Sequence, residues 1–198
     1  MVRQRGHSLI ELVVSMAIFG LVAGIALPAI GNLTRRAALR GAVARVYGIL
    51  KLTREQAISL AGNRAVKFHR DSDGGWSYAV YDDGDGDGVL NSDIEAGIDP
   101  LVDGPEVLLS PRGMSTIGIA PEGVPDPDGG PDILAETAPI QFGRSTICSF
   151  AMDGSGTPGS IYIRTVSGDS AVIRNSGDGG RLTILLLARG GSTWRPPS

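Results

Sequence analysis

The sequence predicts an α+β fold in which one long amino-terminal helix packs on an antiparallel β-sheet domain. Three observations carry this reading. Residues up to Gly62 read as continuous helix, first apolar and then amphipathic. Beyond Gly62 the apolar residues fall into short runs separated by Gly, Asp and Pro, the pattern of strands and turns. Glycine is abundant, 29 of 198 residues, which is about twice the usual ~7% and predicts many turns. A helix followed by a string of strands, rather than alternation of the two, is the order of an α+β chain.

Composition narrows the class further. With 20% charged and 42% apolar residues, the chain is neither disordered nor wholly embedded in a membrane. Its length allows one domain or two small ones. The net charge of −3 hides a sorting of charge along the chain. Residues 1–70 carry eleven Lys and Arg against Glu11 and Glu55, whereas 71–198 carry seven Arg against nineteen acids. Most of that acidic surplus lies in 71–143, where sixteen acids face Arg112 alone. Such sorting implies that the two ends of the chain face different surroundings. The lone Cys148 excludes an internal disulfide, and with only two His it leaves little for a zinc site.

The first helical half is the run from Leu12 to Ile30, nineteen residues without a charge. About 20 residues cross a ~30 Å hydrocarbon layer as a helix. Arg3 and Arg5 precede the run, and Arg35 and Arg36 follow it. A membrane span, a cleaved secretory signal and a buried core helix are the three readings. A core helix fits least, because no part of the circumference is polar enough to face water. A secretory signal usually has an apolar region of ~7–15 residues and no acid. This run is longer and begins at Glu11. A carboxylate at the edge of an apolar span is costly and calls for a partner.

The segment Gly6-His7-Ser8-Leu9-Ile10-Glu11-Leu12 resembles the class III signal of type IV pilins and type II secretion pseudopilins. The resemblance implies a type IV pilin fold. It also implies a leader peptide, residues 1–6, cut between Gly6 and His7 by a prepilin peptidase, with methylation of His7 as the new amino terminus. Glu11 is then the fifth mature residue, and Pro28 stands at the place where family members often carry a helix-bending proline. The first mature residue is usually Phe; here it is His7. Under this reading Glu11 acquires a physical role. Cleavage leaves an α-amino group, cationic or partly so near neutral pH. That amine and a carboxylate from a neighbouring subunit are each costly to bury alone and tolerable as a pair, and the pairing would fix axial register between subunits. The alternative is that Glu11 snorkels to the membrane interface.

The implied organisation follows. Residues 7–30 are the transmembrane and assembly half of the helix, and 31–62 its amphipathic half. Residues 63–198 form a periplasmic β-rich domain with loop insertions at 82–104 and 120–139. The chain is expected to cross the inner membrane once, with its leader in the cytoplasm. Expected partners are other pilins or pseudopilins, the assembly platform and the prepilin peptidase.

In the amphipathic half, Leu39, Val43, Val46, Leu50, Thr53, Ala57 and Leu60 recur at alternating spacings of four and three, one stripe of a helix. The stripe is expected to pack on the sheet domain. Arg36, Arg40, Lys51 and Arg54 lie along one flank, to be read as a solvated face or as a contact for acidic lipid or DNA. Gly62-Asn63 is the expected stop, which makes a helix from Ser8 to Ala61 about 80 Å long at 1.5 Å per residue. Leu52 to Ile58, with its Arg-x-x-Ala core, is similar to the GspH/FimT branch of pseudopilins and minor pilins. Ile140 to Phe142, Asp153 to Ser155 and Gly159 to Ile163 resemble that branch's paired strands. Strands are expected at Arg64–His69, Trp76–Asp82, Glu106–Leu109, Ser160–Thr165, Ser170–Arg174 and Arg181–Ala188. Pro121, Pro125, Pro127, Pro131 and Pro139 mark a long irregular loop.

One segment carries metal chemistry. Asp83, Asp85 and Asp87 with Gly88 reproduce the D-x-D-x-D-G opening of a Ca2+ loop, where glycine permits the turn that converges alternate carboxylates. Asn91 stands ninth, a usual ligand place. The twelfth place, normally a bidentate Glu, is Ile94, flanked by Asp93 and Glu95. The loop is therefore out of standard register at its end, and no flanking helices are evident. The two readings are a structural Ca2+ held by Asp83, Asp85, Asp87, Asn91 and Asp93, and a solvated acidic turn.

Catalytic signatures are missing. The sequence contains no G-x-S-x-G, no P-loop and no H-E-x-x-H. An enzyme is not expected. Some FimT-type minor pilins bind DNA through a carboxyl-terminal G-R-x-R patch. Gly180-Arg181-Leu182-Thr183 has the first arginine and lacks the second, and the acidic 71–143 segment would repel phosphates, so nucleic acid is not an expected partner.

Overall fold

A computed structural model describes residues 9–110, 113–130, 133–134 and 138–197, apart from the side chains of residues 25–30, 32 and 178. Helix α1 spans Leu9–Ser59, and the chain divides into two units, Met1–Ala37 and Ala38–Ser198.

In the first unit, apolar side chains are exposed around the whole circumference of the helix. Leu12, Val13, Ile18, Phe19 and Leu21 are all more than half accessible. Among the described residues, no helix is long and apolar enough to cross a membrane. The uncharged run Leu12–Ile30 continues through residues 25–30, which are helical but whose side chains lie outside the described set.

The second unit is built on the amphipathic half of α1. Leu39, Val43, Val46, Leu50, Thr53 and Ala57 are buried on one stripe, as their spacing predicts, joined by Ala42. Leu60 departs from the stripe and is 64% exposed, because the helix has ended before it. The ending has a local cause. The N–H of Gly62 donates to the Ala57 carbonyl at 3.1 Å and that of Ala61 to Ile58 at 3.3 Å. This is the paired closure of a Schellman turn, with Ala61 rather than a glycine in the left-handed conformation at φ 50°.

After β1 (Arg64–Arg70) and β2 (Trp76–Asp82) comes a short helix, α2 (Asn91–Ala96), and then β3 (Leu101–Leu109). Next come β4 (Ser115–Ile117), β5 (Val124–Pro125), β6 (Ile133–Leu134), β7 (Ile140–Phe142) and β8 (Ile147–Phe150). The last three strands are β9 (Gly159–Thr165), β10 (Ser170–Asn175) and β11 (Leu182–Leu187). One sheet has the order β3-β2-β1-β8 and a second β11-β10-β9-β4, with β7 on the same edge of β9 as β4; β5 and β6 pair separately. All pairings are antiparallel.

All six expected strands are present within a few residues. The sequence reading missed β8, four residues between turns, and β4 to β6, which are too short to show a period. Segments read as loop insertions also carry structure: α2 and the start of β3 within 82–104, and β5 and β6 within 120–139.

Alternation along the strands divides the core. Val66 and Phe68 of β1, Trp76, Tyr78 and Val80 of β2, Ile161 and Ile163 of β9, and Ala171 and Ile173 of β10 join the α1 stripe in one cluster. The opposite face of the second sheet, with Tyr162 and Val172, is covered by Ile119, Val124 and Trp194. Trp194 fixes that cover by donating its indole N–H to the Pro125 carbonyl at 2.8 Å. The proline-rich segment is thus partly a lid on the sheet. The opposite face of the first sheet, at Ala65 and Ile147, is covered by Val89 and Ile94 of the acidic segment.

Polar anchors tie α1 to this framework. Arg64, itself buried, pairs with Asp82 across the β1–β2 register through Nε–Oδ1 and Nη2–Oδ2, and gives Nη1 to Gln56 of the helix at 2.8 Å. Arg54 donates Nε to the Gly154 carbonyl at 2.9 Å and Nη2 to that of Gly179 at 2.7 Å. Lys51 pairs with Glu55 at 3.6 Å. The expected basic flank is therefore divided: Arg54 is spent inside the domain, while Arg36 and Arg40 are exposed.

Candidate functional site

The acidic segment connects β2 to β3, and its two limbs meet where the N–H of Asp82 donates to the Pro100 carbonyl at 3.1 Å. Between them Asp99, only 2% exposed, holds the loop from inside. Its Oδ1 accepts from Gly84 N–H and its Oδ2 from Leu90 N–H, each at 3.0 Å. Gly84 is required there, because a Cβ would lie 1.9 Å from the Ile98 carbonyl oxygen. Val89 plugs the loop into the sheet at Ala65 and Ile147.

On this base the carboxylates converge. Ligand oxygens of Asp83, Asp85 and Asp87 lie within 4.8 Å of one another. Asp83 is fixed by its neighbours. Its Oδ1 accepts from Gly86 N–H at 2.7 Å, and its Oδ2 accepts from Gly88 N–H at 3.0 Å and Asn63 Nδ2 at 2.8 Å. Burial raises the Asp83 pKa, but these hydrogen bonds to the charged form outweigh it and leave the group below the ordinary carboxylate value. The Asp87 carboxyl moves the other way. Desolvation, then repulsion from Asp85, a hydrogen bond with it, and repulsion from Asp93 and Asp83 push it up. Asp93 stands in the first turn of α2, and its Oδ2 is buried without a hydrogen-bond partner among the described residues. Asn91, the first residue of α2, is exposed.

The donor set is chemically apt for a hard cation. Ca2+ takes six to eight oxygens at about 2.3–2.6 Å, so oxygens on opposite sides of one ion are about 4.8 Å apart. Asp83, Asp85 and Asp87 could supply carboxylate oxygens, with Asp83 offering Oδ1, the oxygen that carries fewer hydrogen bonds; of the other expected ligands, Asp93 acts on Asp87 through its charge but is not in the converging group, and neither is Asn91. The sequence reading saw no flanking helix, yet α2 follows directly. Its end is signalled by Gly97 as the left-handed cap at φ 75°, but its start is not, because the N-cap is Leu90 with no side-chain cap. Of the two residues that hold the loop, Asp99 was not singled out and Asn63 was read only as part of the helix stop. Only loop closure brings them to it, and no spacing rule marks them.

The other sequence-predicted residues are spread along the chain. Gly6 and His7 lie outside the described residues. Glu11 is exposed in the first turn of α1, and its backbone carbonyl accepts from Ser15 Oγ at 2.7 Å. Pro28 falls within α1, with its side chain outside the described set. Arg181 is exposed just before β11. Nearby Arg174 is neutralised by Asp128 at 2.7 Å.

Comparison with known proteins bears on the amino terminus alone. Residues 1–27 match the family model described as the prokaryotic N-terminal methylation motif, a type IV pilin-like prepilin signal. No curated protein and no solved structure matches the chain. The architecture, an amino-terminal helix followed by antiparallel sheets, is consistent with the type IV pilin fold.

Proposed function

We propose that the chain is a minor pilin or minor pseudopilin of the GspH/FimT type, a structural subunit of a type II secretion pseudopilus or a type IV pilus. The observation that carries this reading is the methylation motif at residues 1–27, set on a helix whose second half is the spine of an antiparallel head. A prepilin peptidase would cut between Gly6 and His7 and methylate His7. The apolar half of α1 would anchor the chain in the inner membrane, head outside, before extraction into a filament. The exposed apolar circumference at residues 9–24 supports this, since such a surface needs either lipid or other helices around it. Glu11 would pair with the amine of a neighbouring subunit. The work is assembly rather than catalysis. Glu11→Ala should leave cleavage intact and reduce incorporation into filaments; normal incorporation refutes the pairing.

Within the same reading, the loop from Asp83 to Asp93 holds a structural Ca2+. The buried, unpartnered Asp93 Oδ2 beside three converging carboxylates favours this over a solvated turn. Calorimetry tests it: heat with millimolar Ca2+ and none with Asp85→Asn/Asp87→Asn is expected, and no heat with the wild-type chain refutes it.

A DNA-binding role in uptake is the second reading. Exposed Arg181 supports it, while the pairing of Arg174 with Asp128 and the acidic 71–143 segment weigh against it. A gel shift at low salt decides it.

A further inference from the structure

The face of the second sheet that turns away from the main core is built in rows, because antiparallel pairing sets residues of neighbouring strands opposite one another. One row is apolar. Tyr162 of β9, Val172 of β10 and Leu185 of β11 stand opposite one another, and Ile119, Val124 and Trp194 cover them. The next row is polar: Gln141 of β7 stands opposite Ser160 of β9, and Ser160 opposite Arg174 of β10. These three side chains and Tyr162 line a cleft of about 500 Å3, with Ile119, Leu134, Ala138 and Pro158 as its apolar lining.

The cleft carries paired rather than net positive charge. In the covering segment the Asp126 carboxylate accepts from Asp128 N–H at 2.9 Å, and the Asp126 carbonyl accepts from Gly129 N–H at 3.0 Å. That turn presents Asp128 to Arg174, whose Nη2 lies 2.7 Å from each carboxylate oxygen. Among the described residues the remaining guanidinium donors, on Nη1 and Nε, make no hydrogen bond. Gln141 is exposed and gives its amide N–H to the Gly143 carbonyl at 3.4 Å, which leaves the amide oxygen open. The Tyr162 and Ser160 hydroxyls bond to each other, and burial pushes the tyrosine up to about 12, so it stays neutral.

We propose that this cleft is a binding site for a neutral saccharide. The chemistry of the lining carries the assignment. A sugar hydroxyl both donates and accepts, and the cleft offers donors on Arg174 beside acceptors on Gln141 and Asp128. The apolar lining meets the C–H faces of a sugar ring, and the cavity falls in the ~300–1,000 Å3 range of small-molecule sites. Other ligand classes fit worse. An anion such as a phosphate meets an arginine already neutralised by Asp128, with Asp126 nearby. A wholly apolar ligand would strip water from the polar row without replacing its hydrogen bonds. An extended peptide finds no open strand edge along β9, which pairs with β10 on one side and with β4 and β7 on the other. The inference goes beyond the filament reading and does not depend on it, since every residue of the cleft lies in the second unit.

The test uses the full chain in a detergent without a sugar head group, with saturation-transfer NMR against lactose, maltotriose, cellotriose and chitotriose. At least one of the four should take up saturation, with binding that saturates in the millimolar range. Gln141→Leu removes an exposed amide, and Arg174→Met removes the guanidinium; each should weaken that binding about tenfold or more. Gln141→Leu lies on the surface and should melt as the wild type does, so its loss of binding is not a loss of fold. No transfer to any of the four saccharides overturns the proposal, and so does binding that both variants leave unchanged. If a Thr-Val repeat hexapeptide takes up saturation and no saccharide does, the occupant is a protein segment and the proposal fails.

Discussion

Replacing Arg54 with alanine separates two physical descriptions of the helix's basic flank. In the structure the guanidinium bridges two turns far apart in the chain, at Gly154 and Gly179. Hydrogen bonds involving a charged group contribute about 1.5–3 kcal/mol each, and leaving a buried acceptor unpaired costs about 1–3 kcal/mol. The two bonds are not equal. Gly154 is buried, so its carbonyl finds no water when the guanidinium is removed, whereas Gly179 is exposed and regains a solvent partner. The loss should therefore be about 2–3 kcal/mol, most of it from Gly154. That corresponds to a melting temperature lower by about 4–12 °C for a chain of this size. Arg54→Lys can reach one carbonyl but not both, so it should fall between. Trp76, buried in the core, reports unfolding by fluorescence in the full-length chain held in detergent. A loss under about 0.5 kcal/mol for Arg54→Ala, the level of an ordinary surface substitution, would mean that the guanidinium is solvated and the helix is held by apolar contacts alone.

Three further outcomes follow from the same contacts. Ala61→Gly should stabilise the head by about 0.5–1 kcal/mol, because glycine adopts the left-handed turn without Cβ strain; thermal melts check it, and a loss refutes the turn. The acidic loop should respond to pH in two senses. Asp87, with its pKa raised, costs stability as pH rises through the carboxylate range when no cation is bound, whereas Asp83, with its pKa lowered, loses its contribution as pH falls. Ca2+ should therefore protect the 83–99 segment from proteolysis at neutral pH and fail to do so in acid; protection independent of pH would contradict it. Burial drives the Cys148 thiol far above its usual range, so it should resist a thiol reagent in the folded chain and react on unfolding. Rapid labelling of the native chain would refute that burial.

Much of this fold is legible because it repeats. The α1 stripe repeats at helical spacing over five turns, and β1, β2, β9, β10 and β11 are long enough for turns and apolar runs to bound them. The stripe failed only at Leu60, where periodicity continues but the Schellman turn at Ala61 has already ended the helix. Strand β8 was missed because Ile147 and Cys148 are buried on opposite faces of its sheet, so no alternation shows. The candidate metal loop was half legible. Asp83, Asp85 and Asp87 announce themselves by spacing, but Asp99 and Asn63 hold the loop through contacts that exist only once β2 and β3 are paired. The fate of Arg54 was hidden for the same reason: its partners are backbone carbonyls 100 and 125 residues away.

The central claim concerns the amino terminus, and intact mass and terminal peptide analysis of the chain co-expressed with a prepilin peptidase tests it most directly. The account predicts a mature chain beginning at an N-methylated His7. A chain that keeps residues 1–6, or one cut beyond the apolar run near Ile30 as a secretory signal would be, contradicts it.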